Sequence, residues 1–321
     1  MTNYLLHNNW KVIGLDALTK YYDPKLKNDR LDLLKNHYNF NYNKGLLEDK
    51  ELLDNLFQKY NPKIIIHLAA QAGVRYSFDN PGSYVQSNLL GTFNILEMAK
   101  NYTPKHLLIA STSSVYGNNK KMPFDENQKT DAQISFYAST KKSNEVMAHS
   151  YSHLFNIPTT IMRFFTVYGP WGRPDMALFK FTKNILSDIP IDIYNFGEMK
   201  RDFTYIDDVI KAISLLIDII PPEIENRKYK IKDDSLSETA PFRIVNIGSA
   251  KPVKLMYYIT ELENEIGKVA QKNFLNLQHG DMLSTYSNSS LLKLLTGFLP
   301  EKNIRFGINK FVKWYKNYYF E

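Results

Sequence analysis

The stretch that most restricts how this chain can fold runs from His106 to Lys141. His106 to Ala110 is a short apolar run that reads as a strand, and it empties into Ser111-Thr112-Ser113-Ser114-Val115-Tyr116-Gly117. Phe136 to Phe155 then reads as a helix, with Tyr137, Lys141 and Glu145 at four-residue intervals and therefore on one face. An ammonium near a phenol favours the phenolate and lowers the Tyr pKa. That is what a general base for a sugar or alcohol hydroxyl requires, and the Thr112 hydroxyl, at a strand end facing the same crevice, can share the proton. The Tyr-x-x-x-Lys spacing carries little alone in a chain with 22 tyrosines. The strand and its hydroxyl run give it weight.

The rest of the chain repeats the strand–helix alternation. Lys11 to Asp16 reads as a strand ending in an acid, preceded by the end of a helix over Asn3 to Asn9. Then come a helix from Lys25 to Asn36, a weak strand from Phe40 to Lys44, and a helix from Glu48 to Tyr60 that buries Leu52, Leu53, Leu56 and Phe57. Lys63 to Ala70 reads as a buried strand with His67 as a satisfied core residue, followed by a long helix from Ser83 to Tyr102. Thr159 to Phe165 is the next strand. Repeated units of this kind give a parallel α/β sheet covered on both faces, doubly wound. Beyond Thr166 the rhythm changes to loops and short elements. These are helices over Asp175 to Leu186, Asp207 to Ile219 and Leu255 to Ile266, strands over Ile191 to Tyr194 and Asn273 to Leu277, and an amphipathic closing helix with Phe311, Trp314 and Tyr315. Pro221 to Pro241 reads as a surface excursion, and Arg243 to Gly248 as a late strand returning to the main sheet. The division expected is 1–165 plus 243–248 for one lobe and 166–321 for a smaller second one.

An acid at the end of the second strand of a dinucleotide-binding sheet takes the adenosine ribose hydroxyls; Asp16 stands at such a position, where a turn or helix-cap role is the alternative reading. The pyrophosphate needs a strand and a glycine-rich turn opening onto a helix amino terminus. That segment belongs just before Asn3, and Gly14 is the only glycine before Gly45. The expectation is a chain that, as given, lacks the central strand and the pyrophosphate cradle, with open strand edges at the gap and a weakened hold on cofactor.

Composition removes other chemistries. The 321 residues contain no Cys, which excludes disulfides, thiolate metal sites and Cys nucleophiles. A net charge of +7 is spread among acids and asparagines with no basic stripe, which favours an anionic, phosphate-bearing ligand over nucleic acid. No apolar run reaches membrane-spanning length and no leader pattern opens the chain, so a cytoplasmic location is expected.

Longer motifs then carry a family. Tyr21-Tyr22-Asp23-Pro24, His67-Leu68-Ala69-Ala70-Gln71-Ala72-Gly73-Val74-Arg75-Tyr76-Ser77, the run from Arg163 to Met176 (RFFTVYGPWGRPDM) and Arg201-Asp202-Phe203-Thr204-Tyr205-Ile206-Asp207-Asp208 resemble the extended short-chain dehydrogenases/reductases. Within them they resemble the bacterial UDP-glucuronate 4-epimerases, and the likeness runs from about Tyr4 to the end. The resemblance implies a Rossmann-like fold, a homodimer and a bound NAD regenerated within each turnover. It implies that Tyr137 takes the proton of the sugar 4-hydroxyl, that Lys141 holds the nicotinamide ribose and keeps Tyr137 acidic, and that Thr112 hydrogen-bonds the 4-oxygen. It lays Asp16, Leu68, Ala69, Ala70 and Gln71 along the cofactor and Asn88 beneath the active site. Arg75 falls on the substrate side, Arg201 at the diphosphate, Tyr194 at the uracil and Asp281 at the nucleotide ribose. No metal is implied.

Oxidising C4 of a uronate makes a β-keto acid that readily loses carbon dioxide, so its carboxylate needs hydrogen-bond donors. Ser113, Ser114, Thr166 and Arg173 are the residues expected to supply them. The 4,6-dehydratases and uronate decarboxylases of the superfamily carry an acid where Ser114 stands, and the 3,5-epimerase–reductases use a Cys. Leu46 departs from the family's Asp near the adenine. Two rival readings stay open: a non-catalytic nucleotide-sugar-binding remnant, and a dehydrogenase with net turnover of free NAD.

Overall fold

The computed structural model describes residues 1–227, 232–278 and 280–320. Its strands are Val12–Asp16 (β1), Phe40–Lys44 (β2), Ile64–His67 (β3), His106–Thr112 (β4), Thr159–Phe164 (β5), Thr166–Tyr168 (β6), Ile191–Tyr194 (β7), Lys200–Tyr205 (β8), Phe242–Ile247 (β9), Pro252–Lys254 (β10) and Lys272–Leu275 (β11). The organising layer is a parallel sheet in the order β3-β4-β5-β9. Its centre is β4, whose seven residues are all buried. A parallel strand covered on both faces needs an almost unbroken apolar run, because each alternate side chain meets a different helix layer. Leu107 and Ile161 face a cluster with Leu53, Phe57, Leu96 and Ala148 from the Lys50–Tyr60, Gly91–Tyr102 and Phe136–Phe155 helices. Their neighbours Leu108 and Met162 face Val209, Ile213 and Leu292 from the Ile206–Leu216 and Ser290–Thr296 helices.

The strands β1 and β2 form a separate parallel pair. Among the described residues no strand is hydrogen-bonded between β1 and β3. Val12 to Leu15 are consequently only half-buried, although Val-Ile-Gly-Leu is composed like a central strand. The parallel layer is thus in two pieces, as the sequence led one to expect. The second region is built on β10-β8-β6 and on the pair β7-β11. Its core joins Phe179, Ile193, Phe203 and Tyr258 to Phe311 and Tyr315 of the closing Ile304–Tyr319 helix.

Several elements differ from the expectation. The helix read as continuous from Ser83 to Tyr102 contains a π-turn over Val85–Leu90. One residue too many for an α-helical turn rotates Asn88 inward. There its carboxamide accepts from the Gln71 N–H at 2.8 Å and donates to the Gln71 carbonyl at 3.0 Å. Lys200 to Tyr205, assigned to no element from the sequence, forms β8, and β6, β10 and the Ser290–Thr296 helix are too short for their periodicity to show. The 221–241 excursion includes 228–231, which lie outside the described residues. Its described part is tied down: Asp234 takes a two-pronged ion pair from Arg243 at 2.9 Å on each prong, and Ser237 meets His149 at 2.8 Å.

Two buried carboxylates fasten loops to the strands. Asp202 of β8 is fully buried and accepts from the N–H and hydroxyl of Ser249, the N–H of Ala250, and the N–H and hydroxyl of Ser287. Glu126, also buried, accepts the N–H of Asn246 at 2.8 Å, and burial pushes its carboxyl up to about 7. A raised acid is penalised in the fold as pH climbs from the ordinary carboxylate value to the folded one, and by a constant amount above it. Glu126→Gln is therefore expected to raise stability by up to about 3 kcal/mol at pH 8 and by almost nothing at pH 4. Urea midpoints at the two pH values check this; equal shifts at both would contradict it.

Candidate active site

The site grows from the carboxyl end of β4. At Thr112 the chain leaves the strand for a turn over Ser113–Tyr116, with the Ser114 N–H donating to the Thr112 hydroxyl at 3.2 Å. Gly117 (φ +53°) reverses the backbone so tightly that a Cβ there would lie 2.1 Å from the Ala132 carbonyl. The Phe136–Phe155 helix starts at Ser135, whose hydroxyl accepts the Ala138 N–H at 3.2 Å as an N-cap. The first turn carries Tyr137 and the second carries Lys141, both directed at the end of β4. The Thr112 hydroxyl, which donates to the Ser114 hydroxyl at 3.2 Å, acts on the Tyr137 phenol so as to lower its pKa, and the buried Lys141 Nζ donates to the Ala110 carbonyl at 2.8 Å.

The electrostatics depart from the sequence expectation. Burial raises the Tyr137 pKa above its ordinary value, and only the charge of Arg173 and the Thr112 hydroxyl pull against it. Lys141 is itself pushed down to about 8 by burial, with Glu145 working in the opposite sense. Its ammonium is turned to a strand carbonyl, so the expected lowering of the phenol by Lys141 is absent here. Desolvation outweighs the pairing that the i, i+4 spacing suggested.

Glu145, one turn further on, anchors the group. It takes a two-pronged pair from Arg163 of β5 at 2.9 and 2.8 Å and the Ser111 hydroxyl at 2.6 Å. Arg163 and Glu145 are 1% and 2% exposed. Burial alone would raise the Glu145 pKa; the Arg163 charge and hydrogen bonds overcome it and hold the carboxyl below its ordinary range.

Beside this lies a cavity of about 400 Å³ lined by Asp16, Leu46, Leu68, Ala69, Ala70, Gln71, Ala72 and Arg173, among others. Asp16 is exposed at the end of β1, its carboxylate accepting the Leu18 N–H at 2.7 Å. The small residues after β3 leave backbone accessible, and Asn88 fixes that segment through Gln71 while also donating to Thr140 at 3.1 Å. This wall suits a ribose at Asp16 and a flat ring near Tyr137 and Lys141. Among the described residues no glycine-rich turn lines it. His67 is buried against the Thr92 hydroxyl at 3.0 Å and pushed down to about 3 by burial, so it stays neutral and belongs to the core.

Across the cleft Arg75, Tyr194, Arg201 and Asp281 come together. The Arg75 guanidinium is 3.1 Å from the Asp281 carboxylate and stacks 4.4 Å from the centre of the Tyr194 ring. Burial lowers the Arg201 pKa, partly offset by Asp281. Two arginines around one carboxylate and one aromatic face can take a diphosphate and a base. Ser113 is buried and Ser114 half-buried at the end of β4, while Thr166 opens β6, paired in register with Phe203 of the strand that carries Arg201. Sequence reading assigned no role to Tyr84, whose hydroxyl sits 2.5 Å from the Gly73 carbonyl and whose ring meets Tyr137 edge-on at 6.1 Å. A tyrosine on an apolar helix face gave no signal to separate it from core.

The profile of the NAD dependent epimerase/dehydratase family matches residues 1–231. A probable UDP-glucuronate 4-epimerase of Rhizobium meliloti (strain 1021) is 50% identical over 309 residues, covering 96% of this chain and 90% of that protein. Protein CapI of Staphylococcus aureus is 49% identical over 98% of this chain and 94% of its own length. Among solved structures, the UDP-glucuronic acid 4-epimerase of Bacillus cereus in complex with UDP-glucuronic acid and NAD superposes with a TM-score of 0.87 at 31% identity, covering 99% of this chain and 95% of that one.

Proposed function

From the premise that the chain belongs to the NAD-dependent epimerase/dehydratase family, we propose that it inverts C4 of a UDP-uronate, interconverting UDP-glucuronate and UDP-galacturonate through a 4-keto sugar. The observation that carries this reading is the Thr112–Tyr137 pair over a buried Lys141 at a strand end with serine, not an acid, at position 114. Bound NAD supplies the hydride acceptor and donor and, when oxidised, a positive ring. Residues Asp16, Leu68, Ala69, Ala70, Gln71 and Asn88 form the wall that would hold it, with Lys141 at the nicotinamide ribose. The lobe of 1–165 with 243–248 carries this wall, and 166–321 carries the nucleotide-sugar side.

Tyr137 exchanges the proton of the 4-hydroxyl, and Thr112 accepts or donates at the same oxygen. A phenol raised by burial holds its proton well, which suits returning it to the ketone; removal of the proton needs positive charge nearby, and Arg173 is one source on the chain itself. Arg75, Tyr194, Arg201 and Asp281 hold the UDP. The sugar carboxylate, β to the ketone in the intermediate, is kept by Ser113, Ser114, Thr166 and Arg173 in a hydrogen-bonded setting that stabilises it as the anion. The absence of a carboxyl at 114 disfavours elimination or decarboxylation as the designed outcome. The reaction belongs in the cytoplasm alongside the soluble NAD pool.

Anomeric NMR with UDP-glucuronate and NAD tests the assignment. Wild type is expected to form UDP-galacturonate, Tyr137→Phe to lose at least 100-fold in rate, and Thr166→Ala to release 4-ketopentose by-product. No UDP-galacturonate from wild type would overturn the assignment, and no added ketopentose would remove Thr166 from carboxylate control.

The same two helices that flank the site support a homodimer. Val85, Leu90 and Phe93 on one and Val146, Leu154 and Phe155 on the other are 39–66% exposed, more apolar surface than a solvent-facing helix layer carries. Val146→Asp is expected to turn a dimer into a monomer in light scattering; a wild-type monomer would contradict the pairing.

A further inference from the structure

Three loops that are remote in sequence meet at one carboxylate. Asp175 accepts a hydrogen bond from Arg173 Nη2 at 3.1 Å, and Arg173 Nε lies 3.1 Å from its other oxygen. The Tyr21 hydroxyl, from the loop after β1, reaches the same carboxylate at 3.3 Å. Gly73, from the loop after β3, closes the group: at φ +107° its missing Cβ would lie 2.9 Å from the Tyr21 hydroxyl and 3.7 Å from the Asp175 carboxylate. Any side chain there would push Tyr21 off Asp175.

We propose that Asp175 is a positioning residue that, with Tyr21, fixes the Arg173 guanidinium at the rim of the cofactor cavity and so ties the loop after β1 to the positive charge on the active-site side of that rim. A free arginine at this rim would spend its time in solvent, since fixing so long a side chain costs rotamer entropy. Pro174 stands between the pair and locks the backbone that separates them. The two prongs from Arg173 leave further N–H groups of the guanidinium for a ligand. Among the described residues the buried Asp175 Oδ1 has a charge contact with Arg173 but no aligned hydrogen bond. The carboxylate thus holds the guanidinium through one aligned hydrogen bond and one charge contact, with Nη2 also 3.4 Å from the Met176 sulfur.

The charge placed this way is felt along the wall. Arg173 opposes the burial-driven rise of Tyr137, and it acts in the same sense on Tyr84 and Tyr21. Tyr21 itself is pushed up to about 12, by burial first and Asp175 second, so it stays a hydrogen-bond donor at any working pH. Its ring packs on Tyr76 at 4.7 Å, and the contacts continue from Tyr76 to Tyr84 at 6.3 Å and from Tyr84 to Tyr137 at 6.1 Å. Tyr21 and Arg173 line the same cavity as Asp16. A ligand that moves the Tyr21 loop therefore changes how firmly Arg173 is held.

The catalytic part of this inference rests on the epimerase reading; the positioning part does not. The experiment takes both on full-length protein with labelled arginine. Heteronuclear NOE values of the Arg173 Nε–H, assigned with Arg173→Lys, are expected to fall in Asp175→Asn, to fall less in Tyr21→Phe, and to recover in Asp175→Glu. Kinetics with UDP-glucuronate are expected to give a roughly tenfold lower kcat for Asp175→Asn with KM changed less than threefold. The Asp175→Asn/Arg173→Ala double variant should be no slower than Arg173→Ala. An Arg173 signal that stays rigid in Asp175→Asn overturns the proposal whether or not the protein is active, and so does a double variant whose losses multiply. An Arg173 that loosens in Asp175→Asn, with a wild type that leaves UDP-glucuronate untouched, sustains the positioning and overturns the epimerase reading instead.

Discussion

The buried pair of Glu145 and Arg163 is the interaction on which the site depends. It joins the helix that carries Tyr137 and Lys141 to β5, and through Ser111 to β4, with both charges almost wholly out of water. Ions buried this deeply are tolerable only when every strong hydrogen-bonding position is met. The reward is geometric. A helix face that could slide along a sheet of leucines and isoleucines is pinned by a directional, two-pronged contact one turn from Lys141. The Lys141 ammonium then falls on the Ala110 carbonyl and Tyr137 falls on Thr112.

The same logic of carboxylates as fasteners recurs outward from the site. Asp202 gathers five donors from two loops and thereby sets the end of β8, where Arg201 stands next to it. Asp234 fastens the excursion before β9 through Arg243. Asp281 and Arg75 meet across the cleft mouth. Only the last is open enough to water to exchange partners readily, which suits its place on the nucleotide side. Rigid pairs sit beneath the chemistry and looser ones where ligands enter and leave.

Much of this was legible in the chain. The strand of His106 to Thr112, the helix of Phe136 to Phe155 and the return of Phe242 to Ile247 to the sheet follow from apolar runs and periodicity. Spacing alone put Tyr137, Lys141 and Glu145 on one face. The π-turn at Val85–Leu90 was not legible, because it answers to a tertiary hydrogen bond between Asn88 and Gln71. The sign of the Tyr137 shift was missed for a related reason. Sequence spacing reports which charges are near, but not how much water each group loses, and here the loss of water decides. Asp175 stood in the motif that carried the family likeness, yet its partner Tyr21 is 154 positions away and nothing local joins them.

If the Glu145–Arg163 pair sets the site, its energy must be cooperative. The direct measurement is a double-mutant cycle on stability, with Glu145→Leu, Arg163→Met and the two combined. Each single change leaves one buried charge unpaired and is expected to cost about 3–5 kcal/mol, while the double change, which removes both charges, should cost far less than the sum. Additive losses would mean that the two residues act independently, and that something other than this pair holds the Tyr137 helix on the sheet.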